Sequence, residues 1–287
     1  MNIGLHTLST KPEWLNKKIS LKDCAAMKQA LRSLCVETVC EQAMCPNIGE
    51  CFSAKTATFL ILGKNCTRNC SFCNIQKAKP LPVDKHEPAR VAQAVSQLGL
   101  RHVVITSVTR DDLTDGGAGI FAQTIRCIRE KLPQVRVETL IPDFGFSWDA
   151  LKMVIDEAPA IIAHNLETVP SLYPQVRQGA DYQGSLNLLG NINKKSVGLK
   201  IKSGLMLGLG EKVQEVLLVM KDLRSVGCDY LSIGQYLAPS KQHYPVKEYI
   251  SPEQFDYYKE KASELGFLHI QSAPYVRSSY LAAEYLV

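Results

Sequence analysis

The sequence predicts an α/β protein, a parallel sheet with helices packed outside it, and three observations carry that prediction. From residue 58 onward, apolar runs of strand length recur six times, at 58–62, 102–107, 135–141, 160–164, 199–207 and 230–234. Segments between these runs place apolar side chains at helical spacing, so strand and helix alternate in series, as in a sheet whose strands run one way. The chain has 287 residues, 46% of them hydrophobic. That length suits about two average domains or a single α/β barrel, and the composition supports a large core.

Taken in chain order, Ser20, Leu21, Lys22 and Asp23 form a capping-box candidate that opens the first helix. Cys24, Met27, Leu31 and Leu34 recur on one face of it, which makes Cys24 a core residue, and Cys35 ends it. After the strand at 58–62, a helix at 90–98 turns Val91, Ala94, Val95 and Leu98 to one side. A helix at 120–132 does the same with Phe121, Ile125 and Ile128, and one at 212–226 with Val213, Val216, Leu217 and Met220. Ser147 is the N-cap expected before a helix through Leu151, Val154 and Ile155. A last helix begins near Pro252 and leads to His269 and Ile270. Cys127 and Cys228 lie in or beside helices and are read as small buried hydrophobes.

Composition narrows the function classes. The ten cysteines are about 3.5% of the chain, well below the density of a disulfide scaffold. Six of them fall in two compact triplets, which favours a reducing, intracellular compartment. No run reaches the roughly 18 apolar residues of a membrane span, and residues 1–10 lack the charged and apolar regions of a secretory signal. The net charge of +5 is mild and its lysines are scattered, so no nucleic-acid partner is expected and a solvated surface explains the lysines best.

The triplets carry the chemistry. Cys66, Cys70 and Cys73 follow the first strand of the series with C-x3-C-x2-C spacing, and Cys40, Cys45 and Cys51 precede it with C-x4-C-x5-C spacing. Loops this short let three thiolates converge. A four-iron cubane held by three cysteines keeps one iron open for another ligand. A structural zinc site wants four protein ligands, commonly as two C-x2-C knuckles, and neither triplet supplies them. Two open-sited clusters are therefore expected. In parallel barrels the loops at the carboxyl ends of the strands carry the chemistry, and the Cys66 loop leaves the first strand at that end.

Placed after the first strand of such a series, C-x3-C-x2-C resembles the radical S-adenosylmethionine (SAM) superfamily. With C-x4-C-x5-C just upstream, the chain resembles the lipoyl synthase family within it. The likeness extends through Lys11 to Leu15, Ala57 to Gly63, Ile105 to Ala118, Asn165 to Val169, Lys202 to Glu211, Gln235 to Ser240 and the run Arg277, Ser278, Ser279, Tyr280. Two departures are visible: Thr109 stands where an acidic residue is expected, and Asn74 follows the third cysteine where aspartate is usual. The resemblance implies a partial (β/α)6 barrel of the radical SAM type with N- and C-terminal extensions. Residues 1–55 would carry the auxiliary-cluster cysteines, 56–250 the barrel, and 251–287 a helix and tail. Only ten residues precede the Lys11 match, too few for an organellar transit peptide, so a cytoplasmic protein is expected.

The implied reaction inserts two sulfur atoms, at carbons 6 and 8, into an octanoyl chain attached to a lysine of a carrier domain, either the glycine cleavage H protein or a 2-oxoacid dehydrogenase E2. Its implied cofactors are two [4Fe-4S] clusters and SAM, with ferredoxin or flavodoxin as electron donor. Cys66, Cys70 and Cys73 would hold the cluster that generates a 5′-deoxyadenosyl radical. Cys40, Cys45 and Cys51 would hold the sulfur-donating cluster, with Ser278 as its fourth ligand, Cys35 as the competing ligand, and Ser279 pointing elsewhere. A hard alkoxide on a soft cluster is a poor match, which suits a cluster meant to come apart. Phe72 would pack on the adenine, Ser107 would approach the methionine end, Asn165 and Glu167 the ribose, and Arg177 the carboxylate. Leu205, Met206 and Leu207 are expected along the octanoyl channel. His164 and His243 are left without a role, and the glycines at 116–117 and 204–210 are read as turns, because neither stretch has a phosphate-loop arrangement. A different radical sulfur-inserting enzyme and a non-catalytic cluster or zinc carrier are the competing readings.

Overall fold

The computed structural model describes residues 11–16, 21–54, 56–195 and 198–286. Ser20, and with it the expected capping box, lies outside these residues; the helix it was to open, α1, spans Leu21–Ser33. Cys24, Met27 and Leu31 are buried on its inner face, as their spacing predicts.

One eight-stranded sheet organises the chain. Its strands are β1 (Glu37–Thr38), β2 (Thr58–Ile61), β5 (His102–Ser107), β6 (Arg136–Leu140), β7 (Ile161–Ala163), β8 (Lys200–Leu207), β9 (Tyr230–Gln235) and β10 (His269–Ser272), adjacent in that order. A separate two-residue ladder joins β3 (Asn65–Cys66) to β4 (Gln76–Lys77). Within the main sheet only β1 is antiparallel to its neighbour, and every later pair is parallel. The edge strands β1 and β10 do not pair with each other, so the sheet is open, as in a partial barrel.

All six expected strands form, each within one or two residues of the predicted ends. The sheet also gains a seventh parallel strand, β10, which registers His269 opposite Tyr230. Its sequence, His-Ile-Gln-Ser, has no long apolar run, because one side of an edge strand remains partly exposed. The helices are α2 (Val39–Gln42), α3 (Ile48–Ser53), α4 (Glu87–Leu98), α5 (Ala118–Lys131), α6 (Trp148–Asp156), α7 (Tyr173–Val176), α8 (Tyr182–Lys195), α9 (Val213–Ser225) and α10 (Pro252–Glu264). Helix α8 was not expected: Gly184, Gly190 and three asparagines dilute its pattern, although Leu186, Leu188, Leu189 and Ile192 are buried.

Caps fix where these helices start. The Ser147 hydroxyl accepts from the Ala150 N–H at 3.3 Å, the N-cap its position predicts for α6. Helix α5 begins with Gly117 at φ 93°, where an added Cβ would come within 2.2 Å of Leu62 Cδ1, and the Asp115 carboxylate accepts the Gly117 and Gly119 N–H groups. Cys127 is half-buried on α5, and Cys228 is fully buried before β9, its thiol 3.3 Å from the Tyr230 carbonyl.

Candidate active site

The chain turns sharply as β2 ends. Leu62 has φ 67°, its N–H donates to the buried Glu87 carboxylate at 2.7 Å, and its carbonyl accepts from Arg110 at 3.3 Å. These partners hold a left-handed turn that leucine does not favour by itself, and the turn launches the loop bearing Cys66, Cys70 and Cys73. Arg68 fixes the loop from within. Its guanidinium donates to Asp111 at 2.8 and 3.1 Å and to Asp143 at 2.8 Å, and makes a second, shorter contact with Asp143. Ser71 is bound on the other side, its N–H to the Val176 carbonyl at 3.0 Å and its carbonyl by the Tyr244 N–H at 2.9 Å. The Thr109 N–H reaches the Cys66 sulfur at 3.4 Å. Sequence reasoning missed Arg68, because its partners lie 43 and 75 residues away.

The upstream triplet is built differently. Cys40 sits in α2, which Thr38 caps by accepting the Glu41 N–H at 3.4 Å. Cys45 lies in the following turn, its N–H bonded to the Cys40 carbonyl at 3.0 Å, and Cys51 lies in α3. Burial pushes the Cys40 thiol up to about 12, and nearby Cys45 and Cys51 add to the rise. Burial likewise pushes Cys73 up to about 12 and raises Cys70, whose rise the Arg177 charge tempers.

Five of these cysteines, 40, 45, 66, 70 and 73, line one cavity of about 550 Å³ at the carboxyl ends of the strands. Its wall also contains Phe72, Ser107, Asn165, Glu167, Arg177 and Ser278. Cys51 is half-buried and not part of this wall, and Cys35 is exposed and off the cavity. Leu205 and Met206 line the cavity, whereas Leu207 points into the core at 1% exposure.

The polar wall is partly unsatisfied. Ser107 Oγ and Asn165 Oδ1 are buried without a hydrogen-bond partner, an arrangement that costs free energy unless a ligand completes it. The Asn165 amide donates to Glu167 at 3.0 Å and to Ser278 Oγ at 2.6 Å. Glu167 holds φ 67°, pinned by its N–H to the Gly204 carbonyl and by the Met206 N–H to its own carbonyl. Burial raises its carboxyl above the usual range, opposed by the Arg177 charge and the Asn165 hydrogen bond. Arg177 donates to Tyr173 Oη at 3.0 Å.

The C-terminal serines depart from expectation in one respect. Ser278 faces Asn165 and Gly204, but Ser279 also lines the cavity, accepting from Thr58 Oγ1 at 2.7 Å. Thr58 in turn lies beside the Cys40 thiol and tempers the rise that burial imposes on it. A turn closed by the Tyr280 N–H to the Arg277 carbonyl, 2.9 Å, directs both hydroxyls inward.

Other candidates are structural. His164 is fully buried between the Ile141 carbonyl at 2.9 Å and Ser185 Oγ at 3.0 Å, and burial brings it down to about 4. His243 pairs with Ser240 at 2.9 Å on the surface. The expected turn at 204–210 holds only for its second half: Gly204 lies inside β8, and the Gly208 and Leu209 N–H groups beyond it are taken by Glu211 at 2.6 and 2.9 Å.

The donor set fits an iron–sulfur centre. Buried thiols with raised pKa are poor free thiolates, and a bound metal supplies the positive charge that ionises them. Among the described residues, no three His, Cys, Asp or Glu side chains gather around a single metal-ion position. In a cubane each thiolate takes a different iron, so its cysteines need not do so.

The family model of the radical SAM superfamily matches residues 60–234. A lipoyl synthase of Citrifermentans bemidjiense is 57% identical over 276 residues, 96% of this chain and 94% of that protein. One of Trichlorobacter lovleyi is 57% identical over 279 residues, 97% and 99% of the two chains. Another, of Geobacter sulfurreducens, is 58% identical over 275 residues, 96% and 90%. The fold is similar to Streptococcus suis SuiB bound to S-adenosylmethionine, with TM-score 0.61 at 10% identity over 79% of this chain and 53% of that one. It is also similar to methylornithine synthase, with TM-score 0.51 at 14% identity over 90% and 83%. By its cysteine loops, its parallel sheet and its likeness to these relatives along nearly its whole length, this chain belongs to the lipoyl synthase family of the radical SAM superfamily.

Proposed function

We propose that this cavity performs the reaction of its family, insertion of sulfur at carbons 6 and 8 of an octanoyl-lysine on a carrier domain. The observation that carries the reading is that members of both cysteine triplets open onto one cavity whose wall holds the unpartnered Ser107 and Asn165 oxygens. Cys66, Cys70 and Cys73 hold one cluster, and Cys40, Cys45 and Cys51 hold the other, with Ser278 as its fourth ligand. When bound, the two clusters and SAM supply a hydrogen-abstracting radical and the sulfur atoms.

The chain's own residues do the positioning. Asn165 Oδ1 and the Glu167 carboxylate accept hydrogen bonds from ribose hydroxyls, and Ser107 approaches the methionine end. Arg177 pairs with the methionine carboxylate, since a guanidinium fork suits that geometry. Phe72 packs on the adenine. Leu205, Met206, Leu140 and Val108 line the cavity and take the octanoyl arm, keeping water from the reacting carbons. Residues 1–55 and 251–287 act as cluster-bearing extensions of a barrel at 56–250. The carrier is the glycine cleavage H protein or a 2-oxoacid dehydrogenase E2, the electron donor a ferredoxin or flavodoxin, and the compartment the cytoplasm. Among the described residues, no helix is long and apolar enough to cross a membrane.

Anaerobic reconstitution tests the reading. The protein should bind about eight irons, cleave SAM, and convert an octanoylated carrier domain to the lipoyl form. Replacing Cys66, Cys70 and Cys73 by alanine should abolish cleavage. Replacing Cys40, Cys45 and Cys51 should leave some cleavage and no lipoyl product. Lipoyl product from the second variant would sink the division of labour between the triplets.

A further inference from the structure

The sulfur-inserting site makes no use of a fully buried lysine inside the sheet. Lys202 on β8 is 0% exposed, and its ammonium donates to the Glu138 carboxylate of β6 at 3.0 Å. Glu138 also meets His102 Nε2 at 3.3 Å. Burial alone would raise the Glu138 carboxyl, but the Lys202 charge and His102 hold it below its usual range. The face of the Tyr285 ring covers the other side of the ammonium, its centroid 3.6 Å from Lys202 Nζ. Tyr285 is 2% exposed and packs on Tyr230 at 5.3 Å and His269 at 4.5 Å.

Tyr285 ends a tail that runs down the sheet. The tail starts at the carboxyl end of β9, where the Gln235 N–H donates to the Pro274 carbonyl at 3.1 Å. Val276 follows against Gly234, where an added Cβ would lie 2.0 Å from its carbonyl oxygen. Ser278 faces Gly204, Ser279 is bonded to Thr58, and the Tyr280 hydroxyl donates to Glu50 at 2.8 Å. At the far end, Tyr285 reaches Tyr230 and Lys202, which pair in register at the amino ends of β9 and β8. Five strand steps separate Tyr230 from Gln235, about 16 Å.

We propose that Tyr285 is a positioning residue: its ring, seated on the Lys202 ammonium, anchors the tail and thereby holds Arg277 to Tyr280 beside the Cys40, Cys45 and Cys51 triplet. The inference rests on the reading that this triplet holds the sulfur-donating cluster. The ring face is the working part, because the Tyr285 hydroxyl is buried with no hydrogen-bond partner. A desolvated cation over an aromatic face is among the stronger contacts of its kind, and this one ties the tail to the most buried charge pair of the sheet.

Tyr285→Leu keeps apolar volume and removes the ring, whereas Tyr285→Phe keeps the ring and removes the hydroxyl. Hydrogen exchange on the metal-free protein reads the anchor directly, and amides at 276–286 should exchange about tenfold faster or more in Tyr285→Leu. After reconstitution, Tyr285→Leu should cleave SAM as the wild type does while lipoyl product per SAM cleaved falls about tenfold or more. Tyr285→Phe should match the wild type in both measurements. Unchanged exchange in Tyr285→Leu overturns the anchor, as does a Tyr285→Phe variant that behaves like Tyr285→Leu. Loss of SAM cleavage in Tyr285→Leu overturns it as well, by making Tyr285 a general determinant of the fold. A wild-type protein that makes no lipoyl product would refute the family reaction instead, and the exchange measurement would still decide the anchor.

Discussion

Replacing Arg68 by methionine isolates what holds the loop of Cys66, Cys70 and Cys73. Arg68 is 15% exposed, and the Asp143 side chain it binds is fully buried. Removing the guanidinium strands that carboxylate in the interior, which costs about 3–5 kcal/mol. Asp111, 42% exposed, adds little because water screens it. With an unfolding entropy of about 2.1 cal/mol/K per residue, the whole chain changes by about 0.6 kcal/mol/K, so the midpoint should fall by about 5–8 °C. Calorimetry of the metal-free protein at neutral pH measures this. Adding Asp143→Asn to Arg68→Met should recover about half the loss or more, because a neutral amide needs no counter-charge. The pH dependence has a definite sign. Burial raises the Asp143 carboxyl, but the Arg68 hydrogen bonds and charge outweigh burial and hold it below its usual range. A depressed carboxyl stabilises the fold above its unfolded pKa and returns that stability as pH falls through the folded value. The gap between wild type and Arg68→Met should therefore narrow below about pH 4. A midpoint shift under about 1 °C, or no recovery in the double variant, would refute the reasoning.

Gly234→Ala should lower stability by about 1–3 kcal/mol, since its new Cβ would lie 2.0 Å from the Val276 carbonyl oxygen; denaturant unfolding with an unchanged midpoint contradicts that close approach. Among Ser278→Ala, Ser279→Ala and Cys35→Ala, only the first is expected to lose sulfur insertion while retaining SAM cleavage. Loss in Ser279→Ala alone would move the ligand to the hydroxyl beside Thr58 and Cys40. Burial raises the Glu157 carboxyl, but Arg126 and Arg129 bring it below its usual range. Both arginines are about half exposed, so Glu157→Gln should lower the midpoint by about 1–2 °C at most at neutral pH. That difference should vanish as pH falls through the folded pKa, and a difference that grows in acid would contradict the pairing.

Periodicity made β2, β5, β6, β7, β8 and β9 legible because each buries an apolar run, and helices α4, α5, α6 and α9 because each shows one apolar face. Where burial is one-sided or diluted by glycine and asparagine, as in β10 and α8, the pattern fades and only packing reveals the element. The six triplet cysteines stand out because metal-ligand spacing is a local property of the chain. Local order does not encode which distant groups meet. Arg68 finds Asp111 and Asp143, Ser278 finds Asn165 across 113 residues, and Ser279 finds Thr58 across 221. Sequence by itself therefore determined the fold class, the parallel series and the two cysteine triplets. Tertiary structure alone decided that a C-terminal tail descends past Gly234 and Gly204 to end on a buried lysine. Its course depends on where the glycines leave room beside the strands, and that space exists only once the strands have assembled into the sheet.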